Sequence, residues 1–228
     1  MKINYIIALL CAILVQESVA QPTYRYGLAP QGIREYRAAV AKDKRKQLID
    51  LEAYIPGIVL DIRYATKNNF TGERIYTEPK AYARRPVAEA LKRVQEELEQ
   101  RNLGLKIFDA YRPYRATVKF YEVYRDTTYV ASPYRGSRHN RGCAIDLTLI
   151  NRSTGEELRM PTGYDSFSRA AWPSTPVSDP EVRRNRALLI KVMEKQGFRV
   201  NSSEWWHFDF RGWGAFEILD IEFSELND

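Results

Sequence analysis

Ser137-Arg138-His139-Asn140-Arg141-Gly142-Cys143-Ala144-Ile145-Asp146-Leu147-Thr148-Leu149 sets a histidine ahead of an aspartate inside a strand-like run. In that run Ile145, Leu147 and Leu149 point to one face, and Ala144, Asp146 and Thr148 to the other. A carboxylate in such a strand needs a reason, because a buried one must be paired, hydrogen-bonded or bound to a metal. The second histidine stands in Glu204-Trp205-Trp206-His207-Phe208-Asp209-Phe210. Here Trp206, Phe208 and Phe210 share one parity and His207 and Asp209 the other, so the run reads as an aromatic strand. An odd spacing along a strand sends side chains to opposite faces. Glu204 therefore works beside His207 only if it stands just before the strand, on a bend or bulge.

Outward from these blocks, helices interleave with strands. Arg85 to Asn102 is the clearest helix: Pro86 suits its first turn, Val87, Leu91, Val94 and Leu98 make one stripe, and Gly104 serves as its stop. Ile58 to Tyr64 alternates like a strand, with Ile58, Leu60 and Ile62 on one parity, and Asn68 to Gly72 follows as a loop. Leu105 to Ala110 reads as a strand and Pro113 to about Arg125 as a helix. Asp179-Pro180 caps a third helix that runs to Gln196 and stops at Gly197. Gln21 to Asp43 reads as a leader and a short helix. Long loops between several strands favour α+β over a doubly wound parallel sheet. No internal repeat or long linker divides the chain, so one domain of about 200 residues is expected.

Composition narrows the chemistry. The 228 residues contain two histidines and two cysteines. A three-histidine metal site, a cysteine-rich zinc module and a disulfide-stapled mini-domain are therefore excluded. A metal site built here needs both histidines and a carboxylate. Two neutral imidazoles and one carboxylate are the minimal set for a catalytic zinc with an open fourth position, and Glu204 is then the spare carboxylate for the water's proton. The plainer alternative is two structural histidines in an aromatic core.

Residues 1–20 read as a secretory signal peptide: Lys2, an apolar run from Tyr5 to Val15, then Ser18-Val19-Ala20 before the cleavage point. The apolar run is short for a membrane span, and Leu10 argues against Cys11 as a lipid-bearing cysteine. A retained anchor is the alternative; no stable membrane insertion is expected. Cleavage leaves residues 21–228 as one domain with a core over about 50–212. It removes Lys2 and Glu17, so the net charge stays +6, and it leaves Cys143 as the lone cysteine. The cationic run Lys42 to Lys46 reads as a solvated helix face, and no nucleic-acid partner is expected. A mild attraction to anionic cell-wall polymers is compatible with the charge.

The chain resembles the D-alanyl-D-alanine dipeptidases of the VanX type, which are related to D,D-carboxypeptidases and the zinc-binding domain of Hedgehog proteins. The resemblance rests on Asp61-Ile62-Arg63-Tyr64-Ala65-Thr66, Asn69 to Gly72, Phe108-Asp109-Ala110-Tyr111-Arg112-Pro113, the His139 to Leu149 block, Met160 to Asp165, Asn185-Arg186 and Glu204 to His207. It implies a small, mainly antiparallel sheet flanked by helices, and one zinc ion per chain held by His139, Asp146 and His207. It implies Glu204 as general base and Arg112 as the cation on the scissile carbonyl oxygen. Asp165 is implied as the acid that binds the substrate's free ammonium, with Ser137 and Tyr64 lining the pocket. The substrate implied is D-Ala-D-Ala, cleaved to two D-alanines.

Elementary physics bears on two of these roles. Arg112 precedes a helix-starting proline, where the helix dipole disfavours a cation; an external anion or the Asp109 carboxylate accounts for it. Asp165 is either a fixed anion facing an ammonium or a loop-capping aspartate.

Two departures matter. Cys143 stands where the family holds another small residue, and it reads as a buried side chain rather than a ligand. The signal peptide points to an exported enzyme, periplasmic or secreted, whereas the best-known resistance enzymes of this type act in the cytosol. Cell-wall turnover or D-alanine salvage is favoured over resistance. The rivals are an exported D,D-carboxypeptidase acting on peptidoglycan stems and a non-catalytic zinc-binding module.

Overall fold

The computed structural model describes residues 25–226. The signal segment and Cys11 lie outside them. Helix α1 (Ile33–Lys42) leads into β1 (Leu48–Asp50) and the one-turn α2 (Leu51–Tyr54). The Asp50 carboxylate accepts from the Glu52 amide at 3.0 Å and starts that turn. After β2 (Val59–Leu60), β3 (Tyr82–Arg84) runs directly into α3 (Arg85–Glu99), with Pro86 in its first turn. Then come β4 (Leu103–Asp109), α4 (Tyr114–Val123), β5 (Ala144–Asn151), α5 (Pro180–Lys195), β6 (Phe198–Val200) and β7 (His207–Phe210). Asp179 caps α5 by accepting from the Glu181 amide at 2.8 Å.

The main sheet has five strands in the order β2-β4-β5-β7-β6. Only β2 and β4 run parallel; the other pairs are antiparallel. A separate antiparallel pair joins β1 to β3. Helices α3 and α5 pack on each other and on the main sheet. The architecture is the expected α+β domain with a mainly antiparallel sheet.

Three local differences have physical causes. The Ile58 to Tyr64 strand shortens to Val59–Leu60, and a helical turn over Arg63–Ala65 follows. The predicted parity still holds for burial: Ile58 and Ile62 are buried and Val59 is exposed. The turn is closed by the Ala65 and Thr66 amides, which donate to the Ile62 and Arg63 carbonyls at 3.0 Å, and Tyr64 stays buried as its parity requires. Gly104 is not the stop of α3 but a residue of β4. Asn102 takes the left-handed conformation instead, with φ 56°. Trp205 and Trp206 form a turn, and the strand starts only at His207. Burial also continues past residue 212. Leu219, Ile221 and Phe223 are fully enclosed, and the Tyr111 hydroxyl donates to the Ile221 carbonyl at 3.0 Å.

Two irregularities aim side chains at one point. A bulge in β4 between Ile107 and Asp109 brings Asp109 opposite Asp146 on β5. Gly142, with φ 66°, closes the His139–Arg141 turn and sends the chain into β5. The Gly142 carbonyl accepts from the Arg84 amide at 2.9 Å, and the Leu219 amide donates to Asn140 O at 2.9 Å. The turn is thus held from both sides.

A Cβ at Gly142 would lie 2.7 Å from Leu48 Cδ2 and 3.3 Å from the Arg84 backbone nitrogen. Left-handed strain and crowding together put Gly142→Ala at about 2 kcal/mol of lost stability. In a domain of this size that lowers Tm by about 4–8 °C. Gly155→Ala, at φ 74° with nothing within 4 Å of the new Cβ, should cost only the backbone share. Thermal melts of both variants check the difference; equal losses would show that crowding at Gly142 is unimportant.

Candidate active site

Asp146 and His207 are direct cross-strand partners in the β5–β7 pair, so their side chains share a face at close range. His139 arrives from its turn. His139 Nε2, Asp146 Oδ1 and His207 Nδ1 lie within 4.8 Å of one another, and all three residues are buried. His139 Nε2 is 3.2 Å from His207 Nδ1 and 3.3 Å from Asp146 Oδ1. His207 Nδ1 is 3.0 Å from the same oxygen.

The other ring nitrogens assign the tautomers. His139 Nδ1 is 2.7 Å from the Ala110 carbonyl, which only accepts, so Nδ1 carries the proton. His207 Nε2 is 3.0 Å from Asp209 Oδ1 and donates to it. With both rings neutral, each would turn an unprotonated nitrogen toward Asp146. Asp146 Oδ1 is buried with no hydrogen-bond partner. Three lone-pair atoms this close repel unless a proton or a metal cation joins them. Burial alone would raise the Asp146 carboxyl, yet the two histidines hold it well below the usual range. Burial alone would lower His207, yet Asp209 and Asp146 hold it well above its usual value. Both shifts say that this point attracts positive charge. The donor set fits a divalent metal with outer partners orienting its histidines.

Glu204 precedes β7 on a turn, as the alternation required, and its Oε2 is 3.6 Å from His207 Nδ1. Asn201 Nδ2 donates to that oxygen at 3.1 Å. Burial is the main cause that pushes the Glu204 carboxyl up to about 8. Of the two open readings of Arg112, the structure shows the ion pair: Arg112 Nε and Nη2 donate to Asp109 Oδ2 at 2.9 and 2.7 Å. The residue also lines the cavity. The guanidinium stacks 4.7 Å from the centre of the Phe120 ring.

Asp165 does not act as a loop cap. Its carboxylate accepts from the Tyr64 hydroxyl at 3.2 and 3.1 Å. Burial and the nearby Asp146 and Glu204 carboxylates raise it well above the usual range, an arrangement that a ligand's cation would relieve. Ser137 Oγ accepts from the His139 amide at 3.2 Å and so supports the turn as well as lining the cavity. One cavity of about 150 Å³ is lined by all the sequence-derived candidates: Tyr64, Arg112, Ser137, His139, Asp146, Asp165, Glu204 and His207. Cys143 stays outside it. Its thiol is buried, and burial pushes it up to about 12, which fits an inert small side chain.

Sequence reasoning missed the outer partners. Asp209 was visible as the same-face neighbour of His207 but received no role. Tyr164, whose hydroxyl donates to Asp146 Oδ2 at 2.9 Å, carried no signal, nor did the Ala110 carbonyl.

A buried His–Asp–His triad with a glutamate beside it, on a mainly antiparallel α+β sheet, is a metallopeptidase arrangement. The comparisons agree: the D-ala-D-ala dipeptidase profile of the M15 peptidases matches residues 44–226. The chain belongs to that family. It is 36% identical over 181 residues to the D-alanyl-D-alanine dipeptidase of Escherichia coli K12, covering 78% of this chain and 92% of that protein. It is 30% identical to the enzyme of the same name from Enterococcus faecium, covering 71% and 90%. It is also 30% identical to that of Streptomyces coelicolor, with the same coverage.

His139→Ala and His207→Ala should each lose tightly bound metal, whereas Cys143→Ser should keep the wild-type content. Metal analysis of the dialysed proteins checks this, and full metal content in either histidine variant would remove that residue from the ligand set.

Proposed function

We propose that the protein hydrolyses D-Ala-D-Ala to two D-alanines, with one zinc ion held by His139, Asp146 and His207. The observation that supports it most is the convergence of these three lone-pair atoms beside Glu204, in a cavity that also presents Asp165 and Arg112. Its size fits the substrate: about 150 Å³ is room for on the order of ten water-sized groups, the scale of a dipeptide. Zinc supplies a Lewis acid that activates water and polarises the scissile carbonyl.

The chain's own residues do the rest. Asp165, raised by burial in the cavity and ionised when an ammonium lies against it, pairs with the free ammonium and sets the distance from the N-terminus to the reacting carbonyl. Tyr64 holds that carboxylate through its hydroxyl. Glu204 Oε2 accepts the proton of the attacking water and returns it to the leaving amine. Asn201 keeps that oxygen in place. Arg112 donates to the carbonyl oxygen as negative charge develops there; losing such a donor costs about 100- to 1000-fold. Its bond to Asp109 holds the guanidinium in position before substrate arrives.

A free-amine anchor distinguishes this reading from a carboxypeptidase on longer stems. Glu204 and Arg112 at the cavity distinguish it from a binding module, which needs neither. With residues 1–20 read as an export signal, the enzyme acts in the periplasm or outside the cell, in wall turnover or D-alanine salvage. Among the described residues no helix is long and apolar enough to cross a membrane.

Glu204→Ala should retain zinc and lose nearly all turnover of D-Ala-D-Ala. Asp165→Ala should lower kcat/KM for the dipeptide and narrow its advantage over an N-blocked tripeptide. Product assays with a chelator control check both. Activity of wild type on the blocked tripeptide equal to that on the dipeptide would refute the dipeptidase reading.

A further inference from the structure

Each of the three metal-facing side chains has an outer partner, and the three partners differ in kind. His139 is held by a backbone carbonyl and His207 by the Asp209 carboxylate. Asp146 is held by a side-chain hydroxyl, that of Tyr164, at 2.9 Å on Oδ2. The two oxygens of Asp146 thus have separate surroundings. Oδ1 faces the histidine nitrogens without a hydrogen bond, and Oδ2 carries the tyrosine.

Oδ2 also lies 3.8 Å from Arg112 Nη2, beyond a good hydrogen bond. The strongest nearby competitor for Asp146 is therefore the cation needed at the substrate carbonyl. Were Oδ2 free, a small rotation of the carboxylate would close that gap. Oδ1 would then swing off the histidine nitrogens, and Arg112 would be drawn from the cavity.

The tyrosine is well placed to prevent this. Its ring stacks on Phe108 with centroids 4.7 Å apart and 28° between planes. It also meets Trp206 edge-on at 5.5 Å. A ring packed in this way carries its hydroxyl on a rigid arm. The next residue, Asp165, adopts φ 57°, a left-handed conformation costly for a residue with a Cβ. The Asp165 carboxylate reaches Tyr64, whose ring lies 6.2 Å from that of Tyr164. One short kinked segment thus contacts the metal ligand through Tyr164 and presents the proposed ammonium-binding acid through Asp165.

We propose that Tyr164 is a positioning residue for the metal site. Its hydroxyl holds Asp146 Oδ2, leaves Oδ1 as the single coordinating oxygen, and keeps Asp146 and Arg112 apart. The zinc-ligand part rests on the metal site described above, and the Arg112 part on the proposed peptidase function.

The test uses Tyr164→Phe, which removes one hydroxyl and keeps the ring stack, in the full chain. Zinc affinity is measured by competition with a chromophoric chelator, and a cobalt-loaded sample gives the ligand-field spectrum. The expected result is zinc binding about tenfold weaker, shifted cobalt bands and a lower kcat for D-Ala-D-Ala. Asp165→Asn is the neighbouring control: it should raise KM and leave zinc affinity and the cobalt spectrum unchanged. Zinc affinity within twofold of wild type and an unchanged cobalt spectrum in Tyr164→Phe would overturn the proposal. The metal readouts need no turnover, so an inactive wild type would refute the peptidase reading while leaving the role of Tyr164 to be judged by them. Should the phenylalanine variant melt early, the cobalt spectrum of Tyr164→Trp decides: bands identical to wild type would again overturn the proposal.

Discussion

Three lone-pair atoms, His139 Nε2, Asp146 Oδ1 and His207 Nδ1, are forced together on buried residues at the wall of the cavity. Left alone, such an arrangement costs free energy, since neither an imidazole lone pair nor a carboxylate oxygen is satisfied by another acceptor. The surrounding fold is what keeps them there. The Asp146–His207 register of β5 and β7 sets one edge of the triangle, and the Gly142 turn sets the other two. Folding energy from the core thus holds the site in a geometry that a bound cation relieves.

Around that triangle the charges are graded from the middle outward. Asp146 is anionic at the centre, Glu204 beside it is pushed up by burial, and Asp165 further along is raised as well. Three carboxylates around one cavity repel, and among the lining residues Arg112 opposes them. In the proposed function a metal and the ammonium of a zwitterionic dipeptide would supply the remaining positive charge, so that charge complementarity would select for a free N-terminus.

Much of this was legible along the chain. Strand parity placed Asp146 on the face opposite Ile145, Leu147 and Leu149, and the same argument required Glu204 to stand off the strand that carries His207. Both follow from the period of two in an extended backbone, which depends on sequence alone. Parity does not say where a strand stops: the run from Ile58 alternates through Tyr64, but local backbone bonds close a turn at Arg63–Ala65 while Tyr64 stays on the buried parity. The stop of α3 was assigned to Gly104 because glycine tolerates the left-handed conformation, yet Asn102 adopts it. The C-terminal segment past residue 212 shows little periodicity, so its contribution of Leu219, Ile221 and Phe223 to the core was invisible.

The sequence by itself determined the inventory: two histidines, hence a third ligand that had to be a carboxylate, and a further glutamate, Glu204, next to one of them in the chain. It also determined which face of each strand those residues occupy. Only the tertiary structure decided which atoms meet. The tautomers depend on the Ala110 carbonyl and on Asp209, and Asp146 Oδ2 is held by the Tyr164 hydroxyl. A bulge sets Asp109, the partner of Arg112, across from Asp146. These contacts join residues far apart in the chain. Their geometry comes from packing and strand register, which no local periodicity encodes.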